Sequence, residues 1–143
     1  MKALQKCIHD CFKNEYAFGA KLLRYGFAIL FILVAVKKLR MGYTGFADSL
    51  VNGDGHLAAE MPVILLQVYG YIIPAAELVA GVMLLVDQYR REAYFAIGII
   101  YLTFIFGQMY DGNTSKIGTE YFTSMVALSL AVFFEQRAAK GHH

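Results

Sequence analysis

Seven polar side chains stand inside or at the edges of apolar runs, and they carry whatever chemistry the chain can do. Glu77 is the deepest, the single charge among the 26 residues from Met61 to Val86 (MPVILLQVYGYIIPAAELVAGVMLLV). A carboxylate in such surroundings is costly unless it is protonated, paired or turned toward water. Arg24, in the run LLRYGFAILFILVAVKKL over 22–39, is a cation within reach. With the two runs antiparallel, their depths differ by about 5–6 Å at about 1.5 Å per residue, a gap that an arginine closes. A buried Arg24–Glu77 pair is the simplest expectation. It reads either as a staple between two helices or as a carboxyl that carries a proton or binds a ligand group. Lys38, Gln67, Gln108, Asp111 and Glu120 form a second group near the opposite interface. That group can bind the head of a quinone or a small anion, with Lys38 as donor. Tyr43, Tyr69, Tyr71 and Tyr110 lie at similar depth, although tyrosines at an interface ordinarily form the aromatic belt. One lysine of the Lys37-Lys38 pair is likewise ordinarily an anchor.

These residues need helices to hold them, and the composition says which kind. The 143 residues are 58% hydrophobic and 17% charged, with a mean hydropathy of +0.48, on the membrane side of a soluble average. The stretch at 61–86 is longer than a hydrocarbon core of about 30 Å requires of a helix. Four crossings follow, near 22–39, 62–86, 93–110 and 119–136. The fourth is the shortest, with Tyr121 to Phe134 uncharged between Glu120 and Glu135. The expected fold is an all-α integral membrane protein, an antiparallel four-helix bundle. Short interfacial helices are expected at the N-terminus, where Leu4, Cys7, Ile8, Cys11 and Phe12 share a helical period, and in the first outer loop. In that loop Tyr43, Phe46, Ala47 and Leu50 recur at helical spacing before Asn52-Gly53-Asp54-Gly55 forces a turn. The domain reading is therefore an amphipathic segment over 1–21, a transmembrane domain over 22–136 and a tail over 137–143. The tail's Gly141-His142-His143 resembles an expression-tag remnant and is left out of the functional reading.

Other chemistries find little support. The first 21 residues lack the apolar core of a secretory signal peptide. Two cysteines make no disulfide framework. On a helix Cys7 and Cys11 share a face while His9 points about 160° from their midpoint, so no metal site is expected there. Asp54, His56 and Glu60 lie in a loop made flexible by Gly53 and Gly55. A net charge of +2 gives no reason to expect nucleic acid. The bilayer is the first partner. Basic residues at the N-terminus, at Arg90-Arg91 and at Arg137 and Lys140 place both termini in the cytoplasm of a bacterial-type inner membrane, with Lys37, Lys38 and Arg40 as the exception. Within the second crossing Pro74 removes one backbone hydrogen bond, and Gly70, Ala80 and Gly81 permit close approach of a neighbour.

The first crossing resembles the DoxX family's R-x₃-G-x₂-F-x₃-G-x₂-K pattern at Arg24, Phe31 and Lys38, with Ala28 and Ala35 in place of its glycines. Gly45-Phe46, Pro62, and Glu77 with Gly81 in AAELVAGVMLLV resemble the segments that follow, and Arg90 stands where members often have a basic residue. The resemblance spans about residues 22–135. It implies a membrane subunit of a redox complex, such as that of thiosulfate:quinone oxidoreductase, meeting quinone near the outer interface and docking a partner protein. No haem, flavin or nucleotide motif is present and no covalently bound cofactor is expected, so redox chemistry would lie on a bound quinone or another subunit. Two other classes compete. One is a non-catalytic anchor or assembly subunit; the other is a small-solute or proton carrier, for which four helices suffice only in a homo-oligomer.

Overall fold

The computed structural model describes residues 15–42, 44–53, 61–112 and 114–140. Four helices among them are long and apolar enough to cross a membrane: α1 (Glu15–Arg40), α3 (Val63–Leu85), α4 (Arg90–Tyr110) and α5 (Thr114–Ala139). A short helix, α2 (Gly45–Val51), lies in the α1–α3 connection where the spacing of Phe46, Ala47 and Leu50 predicts one. No strand occurs among the described residues. The bundle is the expected architecture, and the chain is a multi-pass membrane protein.

Three helices start earlier than expected: α1 at Glu15 rather than 22, α4 at Arg90 rather than 93, and α5 at Thr114 rather than 119, so the fourth crossing, expected to be the shortest, has 26 residues and equals α1 in length. α1 begins at Glu15, so the boundary expected at Leu22 falls inside a continuous helix. Residues 15–21 keep helical form because they pack on the far end of α5: the Tyr16 and Phe134 rings lie 6.1 Å apart. A Cβ on Gly19 would stand only 3.0 Å from the Phe134 ring. The Cys7, His9 and Cys11 positions lie outside the described residues, as do Tyr43, Asp54, His56 and Glu60. α1 stops at Gly42, whose φ of +94° suits a residue without a Cβ, with its N–H on the Leu39 carbonyl at 3.1 Å. Gly112, at φ +68°, ends α4 in the same way.

Large apolar side chains such as Leu33, Ile64 and Phe95 point outward, which is a liability in water and the rule in lipid. Lipid supplies no hydrophobic drive to bring helices together, so close backbone approach does that work. The most extensive seam is α1 on α3. A Cβ on Gly81 would meet the Ala28 carbonyl at 3.1 Å and the Ile32 Cγ1 at 2.9 Å. Ala28, fully buried, lines this seam from α1, so an alanine in place of a glycine on one helix is accommodated by a glycine on the other; Ala35, seven residues on, is buried as well. A second close contact docks α2: Gly70 of α3 touches Ala47, where a Cβ would come within 2.5 Å of the Ala47 Cα. The bundle interior is a cluster including Phe27, Phe31, Leu84, Tyr94, Ile97 and Tyr101, with Leu128 and Ala131 from α5.

Within α5, a π-helical stretch (Ile117–Phe122) separates a first turn at Thr114–Lys116 from the regular body that starts at Thr123. The wider turn resets the helix phase. It leaves Tyr121 facing the bundle, its ring 6.4 Å from that of Tyr101 and 5.7 Å from that of Phe104.

Candidate ligand site

Glu77 is 1% exposed and is held by Lys38, whose Nζ donates to Glu77 Oε1 at 2.6 Å. The Arg24–Glu77 pair expected from depth does not form. Helical Cα–Cβ bonds tilt toward the helix N-terminus. Lys38, near the end of α1, therefore sends its stem back toward the middle of the bundle, where Glu77 waits. The same tilt carries Arg24 away from the middle, toward the start of α1, and it stands about 21 Å down the same helix from Lys38. It is buried at 4% exposure, donates through Nη2 to the Tyr25 hydroxyl at 3.0 Å, and lies over that ring. With Tyr94, Arg90 and Glu135 it lines a cavity of about 1050 Å³ at the end of the bundle where α1 starts and α5 finishes. There Tyr94 donates to Glu135 Oε1 at 3.2 Å, and Arg90 stands 3.8 Å from the same oxygen.

The ammonium of Lys38 is enclosed as well as paired. Its Nζ lies 4.6 Å from the centre of the Phe46 ring and 4.8 Å from that of Phe104. Two aromatic faces and one carboxylate thus stabilise a cation whose side chain is only 15% exposed. Each element contributes for a stated reason: α1 brings Lys38 across the Gly81 seam, α2 brings Phe46 by docking Ala47 on Gly70, and α4 brings Phe104.

The pair forms part of the wall of a cavity of about 680 Å³. Tyr69, Tyr101, Thr103, Phe104, Gln108, Glu120, Tyr121 and Ser124 complete much of the lining. Leu30 and Val34, exposed apolar residues of α1, are among the lining, as are the exposed Thr119, Glu120 and Thr123, so the cavity borders both the lipid-facing surface and the end of the bundle. The volume lies in the range of small-molecule pockets, and the lining is of the usual kind, apolar with a few convergent polar groups.

Of the five residues expected at the outer site, Lys38, Gln108 and Glu120 line this cavity. Gln67 and Asp111 do not. Gln67 is exposed and lies about 160° around α3 from Tyr69, which faces α4 through its hydrogen bond to Thr103. Asp111 closes the end of α4 through its backbone N–H to Gly107. Glu77, expected with Arg24, belongs to the Lys38 group instead. Tyr101, Tyr121, Thr103 and Ser124 are lining residues that spacing alone does not single out. Their signal in the sequence is a hydroxyl on the inward face of an otherwise apolar helix, visible only once the face is known.

Hydrogen bonding within the cavity is uneven. Thr103 donates to the Ile100 carbonyl at 2.7 Å, so Tyr69 is the donor in its 3.0 Å contact with Thr103. Ser124 donates to the Glu120 carbonyl at 2.7 Å and Thr119 to that of Ser115 at 2.8 Å. Against these satisfied hydroxyls, Glu77 Oε2, Gln108 Oε1 and the Tyr101 hydroxyl are enclosed with no hydrogen-bond partner. Buried polar atoms are nearly always satisfied, and three unsatisfied ones on a single cavity point to a ligand that completes them.

No group of three or more His, Cys, Asp or Glu side chains suited to a metal occurs among the described residues. Residues 16–116, more than half of the chain, match the family model of methylamine utilisation protein MauE. No curated protein and no solved structure matches the chain. The match takes in α1 to α4 and ends as α5 begins, so it includes Lys38, Glu77 and Gln108 but not Glu120 or Tyr121. The resemblance to DoxX stands at the level of a small multi-pass membrane protein, and the chain belongs to the MauE family.

Proposed function

We propose that the chain is the membrane component of a redox system and holds a quinone ring against the Lys38–Glu77 pair. One observation carries this reading: three unsatisfied buried polar atoms share a lipid-facing, aromatic-lined cavity with an enclosed ion pair. A ring ligand that arrives through the bilayer suits an entrance bordered by Leu30 and Val34. Flat aromatic walls at Phe104, Tyr101 and Tyr121 offer stacking surfaces. A small anion fits less well, because Glu77 and Glu120 line the same cavity as Lys38. The likeness to DoxX at Arg24, Phe31, Lys38, Glu77 and Gly81 supports the quinone reading, and the family's description, methylamine utilisation, is compatible with service to a redox system. Any electron transfer needs a second redox centre, so the proposal includes a partner protein. The bacterial inner membrane, with both termini cytoplasmic, is the proposed setting. It follows from Arg90, Arg91 and the other basic residues on the side of the termini.

The second reading, a non-catalytic anchor, is favoured by α5. Its most apolar window is only 11% buried, the least of the four crossings, and leaves a broad helix face free for another subunit. Purification in mild detergent, followed by mass spectrometry of retained small molecules and proteins, separates the two. Near-stoichiometric quinone is the expected result. A stoichiometric protein partner with no quinone would establish the anchor and remove the redox reading.

A further inference from the structure

The unsatisfied atoms of the Lys38–Glu77 cavity are of one predominant kind. Glu77 Oε2 is a carboxylate oxygen that can only accept, and Gln108 Oε1, as oriented, accepts as well. The Tyr101 hydroxyl can do either, and the Ser124 hydroxyl lies near enough to hydrogen-bond with it, although Ser124 donates its proton to the Glu120 carbonyl. Four of the hydroxyl protons along the wall are already engaged within it. Tyr69 donates to Thr103, Thr103 to Ile100, Thr119 to Ser115 and Ser124 to Glu120. The Lys38 ammonium gives one proton to Glu77 Oε1 and lies against the Phe46 and Phe104 rings. A quinone, with two carbonyl acceptors, could take protons from Lys38 or from the Tyr101 and Tyr121 hydroxyls but has none to give, and would leave Glu77 Oε2 and Gln108 Oε1 unsatisfied. Its two-electron-reduced form carries two O–H groups and would satisfy the two acceptors that the wall leaves open.

We infer that the cavity is built for the hydroxyl-bearing form of the ring, a 1,4-hydroquinone, in preference to the quinone. This rests on the reading of the cavity as a quinone-class site and adds the redox state that it selects. Leaving a buried acceptor unmade is costly while making it is modestly favourable, so the discrimination arises from the wrong ligand as much as from the right one. A consequence follows for the bound couple. Preferential binding of the reduced form raises its reduction potential, by about 30 mV for each tenfold in affinity for a two-electron couple. The bound quinone is thus a stronger electron acceptor than the same molecule free in the membrane.

The test is binding of three probes with one ring to the full chain in lipid nanodiscs under anaerobic conditions: duroquinol, duroquinone and 1,4-dimethoxytetramethylbenzene. Duroquinol is expected to bind at least tenfold tighter than either of the others. Gln108→Leu, which removes one acceptor and leaves the Lys38–Glu77 pair intact, is expected to weaken duroquinol about tenfold and to change duroquinone less than twofold. Equal or tighter binding of duroquinone overturns the preference while leaving the quinone-class site standing. Dimethoxy analogue binding as tightly as duroquinol also overturns it, because ring shape rather than donated protons would then decide. If no probe binds, the site reading itself falls and the preference falls with it.

Discussion

Lys38 and Glu77 sit in a position where either side chain alone is a problem for the fold. Glu77 is almost fully enclosed, and removing one partner of a buried pair leaves an uncompensated charge at a cost of about 3–5 kcal/mol. Lys38→Met and Glu77→Gln are each expected to lower stability in detergent by that order, and the double variant to recover part of the loss. Arg24→Met combined with Glu77→Gln should simply add, since Arg24 occupies the other cavity. Coupling of Arg24 rather than Lys38 to Glu77 would reverse the assignment. The Tyr101 hydroxyl separates a site from a scaffold. Tyr101→Phe keeps the ring, which meets Phe31 edge-on at 5.5 Å, and deletes an atom that the fold leaves unsatisfied. The ligand-free protein should therefore be as stable or slightly more so, by up to about 1 kcal/mol, while duroquinol binding weakens. A clear loss of thermal stability without ligand would mean that the hydroxyl serves the fold. At this scale the sequence shows which residues are out of place in lipid, Glu77 above all, but not how they pair. Depth counting treats side chains as points; the tilt of Cβ toward the helix N-terminus draws Lys38 inward and Arg24 outward.

The elements act through two glycines on α3. Gly81 lets α1 approach until Lys38 reaches Glu77, and Gly70 seats α2, which carries Phe46 over the ammonium. Gly70→Ala would place a methyl within 2.5 Å of backbone at Ala47, so α2 must lift. The expected outcome is a loss of about 1–3 kcal/mol, faster amide exchange over 45–51 and weaker ligand binding. Ala47→Gly in the same chain should restore part of each. Unchanged exchange over 45–51 in Gly70→Ala would show that α2 is held elsewhere. The four crossings and α2 are legible in the sequence because apolar length and helical spacing are local properties. The start of α1 is not, because residues 15–21 are held by Phe134 on a helix more than a hundred residues away. The π-helical stretch is likewise invisible in composition. Nothing in Ile117–Phe122 announces the extra residue per turn that brings Tyr121 onto Tyr101.

As a whole molecule, the chain is a thin bundle with a largely apolar cavity toward each end, one carrying Arg24, Arg90 and Glu135 and the other Lys38, Glu77 and Gln108. Four crossings put the α3–α4 turn and the α4–α5 turn on opposite sides of the membrane. Single cysteines at Gln88 and Ser115, in a chain with Cys7 and Cys11 replaced, should react with impermeant reagents from opposite faces. Reaction of both from one face would remove the topology. The central claim, that a ring ligand sits against the Lys38–Glu77 pair, is tested most directly by where such a ligand touches the protein. A photoreactive azidoquinone, irradiated with the full chain in nanodiscs and mapped by peptide mass spectrometry, should mark Tyr101, Phe104 and Tyr121, and excess duroquinol should suppress the marking. Marking spread over lipid-facing residues such as Ile64 and Phe95, or gathered beside Arg24 and unaffected by duroquinol, would contradict it.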